Sequence, residues 1–536
     1  MKRIIIYLLL IGSLTAGAQT RYQYWVGFAD KGGSPYRLDT PTDYLSQRAI
    51  ERRQKWGIAI DSLDLPVNPT YLAAVRATGI EMLNVSKWMN GVTVMADADM
   101  EEQLRALPCV ADVMLLNRVN QYGTTQRIGH GQLAQRRDWQ DTFSTDWYAY
   151  SIAQINLMNG VALHRAGYMG QGILIGVIDA GFMGVDTVKA FRHLYEEGRM
   201  VATRNFVIPS DTNVYAYCDH GSEVFASMAA YEPGFYVGTA PKASYALCLT
   251  EENGNESRLE EYNYISALEF LDSLGADLIN ASLGYFDFDM NSYSLDDLDG
   301  ETAVSSRAAN IGTAKGMLIV MGIGNDGMFN NHLSVPSDAV HVLGVGSVNA
   351  QRQYSSFSSR GPTADGRIKP DIAAMGESVN VIAPDGKVEA TNGTSIAGPI
   401  ACGMMACVMQ LHPTCTPDEL SNAARSWGAY AQHPDNRCGY GIPDFSRALT
   451  ENPHTLGIGD RESGSMASYP NPTDGLLHIE GESLMRSALY DISGRIIKTA
   501  EGQQQTLDLG DIPSGLYILH TTEENGNIKT QKIIKK

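Results

Sequence analysis

Between residues 154 and 449 the chain repeats one pattern: a short unbroken run of apolar, often β-branched residues, then a segment with helical spacing. The runs lie at 173–178, 245–249, 278–280, 317–321 and 342–345. A strand with one wet face alternates apolar and polar residues. An unbroken run is what a strand buried on both faces requires. Strands alternating with helices are joined by right-handed crossovers into a parallel sheet. Residues 147–450 are therefore expected to form one α/β domain, with helices on both faces of the sheet.

The flanks break this pattern. Lys2 and Arg3 precede an apolar run at 4–11, and Ala16-Gly17-Ala18 supplies the small residues read by a signal peptidase. Residues 1–18 read as a secretory signal peptide; the run is too short for a membrane span. Next come a strand-like run at 22–28, an Arg-rich helical stretch at 44–55 and a helix at 69–78. Asn68 is the expected N-cap of that helix and Pro69 its first residue. A strand at 88–95, a short helix at 100–107 and a strand at 110–116 complete a small α+β unit. With the polar linker at 120–146 it makes up residues 19–146. A second linker, 451–467, leads to residues 468–536. There six short strand-like runs are separated by turn signals such as Asn471-Pro472 and Asn525-Gly526, which predicts a small β-sandwich.

Composition narrows the partners. Sixty Asp and Glu against 41 Lys and Arg give a net charge of -19. Such a chain repels polyanions, so neither nucleic acid nor an anionic membrane surface is an expected partner. After residue 18 no stretch reaches the length of uninterrupted apolar residues that a spanning helix needs, and no transmembrane segment is expected. Export permits disulfides among the seven cysteines. Cys415 with Cys438 and Cys218 with Cys248 are candidate pairs; Cys402 and Cys407 sit in an apolar segment and read as buried thiols. No Cys or His spacing suggests a zinc site, and no metal ligands are expected.

Four segments of the α/β domain carry chemistry. The first run ends in Asp179-Ala180-Gly181, a carboxylate at the carboxyl end of a strand, where functional groups collect in parallel sheets. His220 precedes a helical segment starting at Gly221-Ser222. The positive end of a helix disfavours imidazolium and would keep the ring available as a base. Ser395, in Gly393-Thr394-Ser395-Ile396-Ala397-Gly398-Pro399, opens a helix of small and apolar residues at 396–410. Asn325, in Gly322-Ile323-Gly324-Asn325-Asp326-Gly327, lies in a glycine-rich turn from which an amide N–H can meet developing negative charge. Each has an ordinary structural reading, as a turn residue, a surface His, an N-cap or a turn Asn.

Taken together and in chain order, Asp, His, Asn and Ser in these contexts resemble the subtilase family of serine peptidases, whose order differs from chymotrypsin-like and α/β-hydrolase triads. The resemblance covers about residues 148–449. It implies Ser395 as nucleophile, His220 as general base, Asp179 as the residue orienting that base and Asn325 in the oxyanion hole. It also implies that Ser282, Leu283 and Gly284 pair with substrate as an added strand. Ile396 and Gly398 depart mildly from the family pattern. An acidic stretch at 287–301 offers carboxylates for calcium, which some relatives bind. It does not match an EF-hand loop and reads as a solvated loop, so no cofactor is expected. Residues 88–113 resemble the subtilase inhibitor propeptide, which implies a zymogen cut between about 120 and 146. Tyr469-Pro470-Asn471-Pro472, the segment 489–495, Leu516-Tyr517 and the Lys-rich end resemble the sorting domain of type IX secretion. Together these imply a secreted endopeptidase reaching the exterior or surface of a Gram-negative cell via the periplasm. Its implied partners are peptide substrates, its own propeptide and the secretion machinery. The rival reading is a non-catalytic surface protein that kept the fold.

Overall fold

The computed structural model describes residues 21–119, 145–252, 256–328, 332–455, 467–469, 473–480, 484–491, 495–502, 504–523 and 528–536. The expected signal peptide and most of the linker at 120–146 lie outside these residues. The chain divides into two compact units, Met1–Gly457 and Ile458–Lys536.

The first unit opens with four strands, β1 (Arg21–Phe28), β2 (Glu81–Ser86), β3 (Gly91–Ala96) and β4 (Val110–Val119). They form an antiparallel sheet in the order β2-β3-β1-β4. Helices α1 (Gln47–Trp56) and α2 (Pro69–Arg76) belong to the same part of the chain. Asn68 caps α2, its side chain accepting from Thr70 N at 2.9 Å. Side chains alternate along a strand, and β1 buries both sets. Tyr24, Val26 and Phe28 join Val75, Val92, Val94 and Val113 in one core. Trp25 points the other way, and its ring stacks on Tyr262 with centroids 4.5 Å apart.

The expected parallel sheet has seven strands: β5 (Leu174–Asp179), β6 (Met200–Asn205), β7 (Ser244–Leu249), β8 (Leu278–Ala281), β9 (Leu318–Gly322), β10 (Leu343–Val348) and β11 (Ile372–Met375). Their order is β11-β10-β9-β8-β5-β7-β6, and every pairing is parallel. Four helices matter for the site: α3 (His220–Ala229), α4 (Arg258–Leu274), α5 (Val304–Ala314) and α6 (Thr394–Leu411). Ile175 and Val177 of β5 share a core with α3 and α6. Leu174 and Ile178 face the opposite way, into a core with α4 and α5. That is the two-sided burial that an unbroken apolar run demands. Among the described residues α6 is the one helix long and apolar enough to cross a bilayer, and it is buried inside this core.

The four-stranded sheet is seated on α4. The Glu269 carboxylate accepts from Ser86 Oγ at 2.5 Å, Lys87 N at 2.7 Å and Trp88 N at 3.0 Å. Asp272, wholly buried, meets Arg52, Arg53 at 2.9 Å and Lys87 at 3.3 Å. Arg53 also reaches Asp64 at 2.5 Å, and Lys315 closes the network on Asp61 at 2.8 Å and Asp64 at 2.9 Å. Buried charges survive only when paired and hydrogen-bonded, and here every pair but Arg53–Asp64 joins residues from opposite sides of the seam.

The second unit is the expected β-sandwich. One antiparallel sheet contains Ala467–Tyr469, Leu476–Glu480 and Gln504–Asp508; the other contains Leu484–Tyr490, Ile496–Glu501, Gly515–Glu523 and Ile528–Lys535. Leu477, Ile479 and Leu507 from the first pack with Leu489, Leu519 and Ile533 from the second.

Neither candidate disulfide is present: all seven cysteines are free. Cys248, on β7, lies in the core beneath α4, whereas Cys218 sits beside Asp219 outside it. Cys415 neighbours Asn452, while Cys438 lies in a tight turn whose backbone bonds Asp435 and the start of β11. Neither pair shares a location. Cys402 and Cys407 are buried thiols, as expected.

Candidate active site

Asp179 is the last residue of β5, near the middle of the sheet, and its side chain is 1% exposed. Its Oδ1 accepts from His220 Nδ1 at 2.7 Å and from Ala180 N at 2.7 Å. His220 is the first residue of α3, half exposed, so its other ring nitrogen is open to the cleft. This approach depends on Gly221. A Cβ there would stand 2.2 Å from Gly181 O and 3.0 Å from the Asp179 Cβ, so only glycine lets the helix start against the strand end.

Ser395 occupies the first turn of α6 and is half-buried. Helix α6 packs against α3 and against the strands β8 to β11, which brings Ser395 to the same end of the sheet as His220. No hydrogen bond joins Ser395 Oγ to His220; such contacts are commonly long before substrate arrives. Asn325 follows β9, and its Oδ1 accepts from Thr394 N at 2.9 Å and Thr394 Oγ1 at 3.1 Å. The carbonyl end is thereby fixed beside Ser395, leaving the NH2 end without a partner among the described residues. A Cβ on Gly322 would press within 2.8 Å of the Thr394 backbone, so the end of β9 and the start of α6 are in close contact.

Ser282, just after β8, is itself committed. Its Oγ donates to Ser395 O at 2.8 Å and accepts from Asn280 Nδ2 at 3.0 Å. Leu283 is half-buried and Gly284 exposed, so of the three residues these two face solvent.

The electrostatics differ from the sequence expectation. Burial lowers the His220 pKa, but the Asp179 charge and hydrogen bond, with Glu223 and Asp219, outweigh it and carry the ring up to about 9. The helix end was expected to keep the ring neutral; nearby carboxylates win over that partial charge. One turn along α3, burial and the Glu389 charge raise Glu223 to about 7, although His220 opposes them. Beyond β7, burial raises Glu251 to about 8, with Glu256 and Asp179 adding to the shift. Sequence reasoning passed over Glu223, although it lies inside the quoted His motif, and over Glu251, two residues past a strand end.

In the acidic stretch, Asp297 accepts from Ser294 N at 2.7 Å, and Asp299 from Glu301 N at 2.8 Å and Thr302 N at 2.7 Å. Away from the cleft, Cys415, Glu419 and His454 place ligand atoms within 4.8 Å of one another and could hold a metal ion. His454 Nδ1 already pairs with Glu419 Oε1 at 2.9 Å. Chain spacing gave no sign of this group, because its members come from the start of one helix and a turn 35 residues later.

Three family models match the chain: the subtilase family over residues 170–441, the peptidase S8 propeptide domain of Bacteroidota over 23–130, and a secretion system C-terminal sorting domain over 467–536. Subtilisin E of Bacillus subtilis (strain 168) is 30% identical over 287 residues, 52% of this chain and 66% of that protein, just under two thirds of its length. A subtilisin of Bacillus pumilus is 29% identical over 287 residues, covering 52% of this chain and 91% of that protein. The crystal structure of MycP1 from Mycobacterium smegmatis is 22% identical, with a TM-score of 0.44, covering 58% of this chain and 88% of its own.

Proposed function

Because the chain belongs to the subtilase family, we propose that it is a secreted serine endopeptidase, made as a zymogen, in which Ser395, His220 and Asp179 act together. The observation that carries this reading is the 2.7 Å bond from His220 Nδ1 to a buried Asp179. It fixes the tautomer, holding the proton on Nδ1 and leaving Nε2 to accept. Ser395 Oγ attacks the peptide carbonyl as His220 takes its proton. The oxyanion is met by Asn325 Nδ2 and the Ser395 backbone N–H. His220 then returns the proton to the leaving amine, and an acyl-enzyme remains. Water repeats the sequence and frees the acid. Leu283 and Gly284 supply the edge on which a substrate backbone aligns as an added strand.

The match at 23–130 supports an inhibitory propeptide, and the sorting domain at 467–536 supports type IX export, through the periplasm, to the outside or surface of the cell. A fluorophosphonate probe tests the enzyme reading. The matured protein is expected to label and Ser395→Ala to stay unlabelled; no labelling, or equal labelling, rejects it in favour of a non-catalytic surface protein.

A further inference from the structure

Glu251 lies beside the strand end that carries Asp179. Thr250, which precedes it, donates its N–H to Asp179 O at 3.1 Å, so Glu251 follows directly on the strand end beside the Asp179–His220 pair. Its Oε1 accepts from Thr250 Oγ1 at 2.7 Å and from Tyr285 OH at 2.9 Å. Tyr285 is the residue after Ser282-Leu283-Gly284, so one hydrogen bond ties this carboxylate to the substrate edge. Two hydroxyls hold a single oxygen; the other, Oε2, has no partner among the described residues.

We propose that Glu251 selects substrates carrying arginine or lysine next to the scissile bond, and that Arg136-Arg137 of this same chain is such a substrate. This rests on the peptidase reading above. A half-buried carboxylate loses hydration, and the loss is recovered when a cation arrives. Two other buried acids in this unit have cations: Asp272 has Arg52, Arg53 and Lys87, and Asp371 has Lys369 and Arg425. Glu251 has none among the described residues. Its neighbour Glu260 is committed to capping α4, accepting from Ser257 N at 3.2 Å and Glu252 N at 2.8 Å. A guanidinium satisfies a preset carboxylate oxygen with directional, charge-assisted bonds. The arginine pair stands between the propeptide match, which ends at 130, and the subtilase match, which begins at 170. That is where a zymogen has to be cut.

The test uses the activated full-length protein and two fluorogenic peptides. One has the sequence of residues 133–140, Leu-Ala-Gln-Arg-Arg-Asp-Trp-Gln, and the other replaces both arginines with leucine. The wild type is expected to favour the arginine peptide by about tenfold in kcat/KM, and Glu251→Gln to bring that ratio near one. A wild-type ratio near one overturns the proposal, as does a preference that survives in Glu251→Gln. Should that variant not fold, the wild-type ratio and the amino terminus of the mature protein decide. A terminus at Arg137 or Asp138 supports the proposal, and one elsewhere rejects it. Equal cleavage of both peptides leaves the peptidase reading standing and removes this one. No cleavage of either, with no fluorophosphonate labelling, removes both.

Discussion

His220 stands under opposed influences. Burial favours the neutral ring; Asp179, Glu223 and Asp219 favour the charged one and prevail, up to about 9. A general base has to be neutral, so the competent fraction grows as pH rises through that value. Removing the Glu223 charge lowers the His220 pKa. The acid limb of the kcat/KM profile is therefore expected near pH 9 in the wild type and roughly half a unit lower in Glu223→Gln. A limb that does not move shows that Glu223 has no hold on His220. At this scale the sequence was informative about identity and poor about degree. Asp179 and His220, singled out by their contexts and chain order, are brought together by the fold, and the helix starting at His220 could be read from Gly221-Ser222. The sign of the shift could not, because it sums carboxylates that only folding assembles, one of them 41 residues away.

Among the elements, α4 carries the seam between the first sheet and the rest of its unit. Removing Arg53 leaves Asp64 and Asp272 buried with less compensation, and breaking a buried pair costs about 3 kcal/mol or more. Urea unfolding of the full-length Arg53→Ala zymogen is expected to show that loss, and a change within about 0.5 kcal/mol would place the stability of the seam elsewhere. The five apolar runs all became strands of the parallel sheet. Two more strands escaped notice for physical reasons. β6 is an edge strand whose half-exposed residues form no apolar run, and β11 is a four-residue Ile-Ala-Ala-Met segment too short and too alanine-rich to stand out. β2 was missed likewise, as an edge strand with mixed burial. The strand expected from Trp88 begins at Gly91, because Lys87 and Trp88 spend their N–H groups on the Glu269 carboxylate instead of on a ladder. Contacts to a distant helix are invisible in local pattern.

At the scale of the molecule, modules made for separate tasks share one chain. Deleting 468–536 is expected to leave the protein in the periplasm, read by fractionating cells and blotting for the peptidase unit. Undiminished export of the truncated chain would remove the sorting role. Modular division was visible in the sequence through changes of periodicity, since a sandwich alternates and a buried parallel strand does not. Disulfide pairing was not visible, because it depends on where Cys218, Cys248, Cys415 and Cys438 end up. The double burial of β1 has a further meaning for time. Tyr24 and its alternates belong to the propeptide core, while Trp25 belongs to a surface that exists only while Tyr262 lies against it. Were the connecting chain cut and the sheet to leave, Trp25 and Trp88 would meet water and Asp272 at the end of α4 would lose Arg52, Arg53 and Lys87.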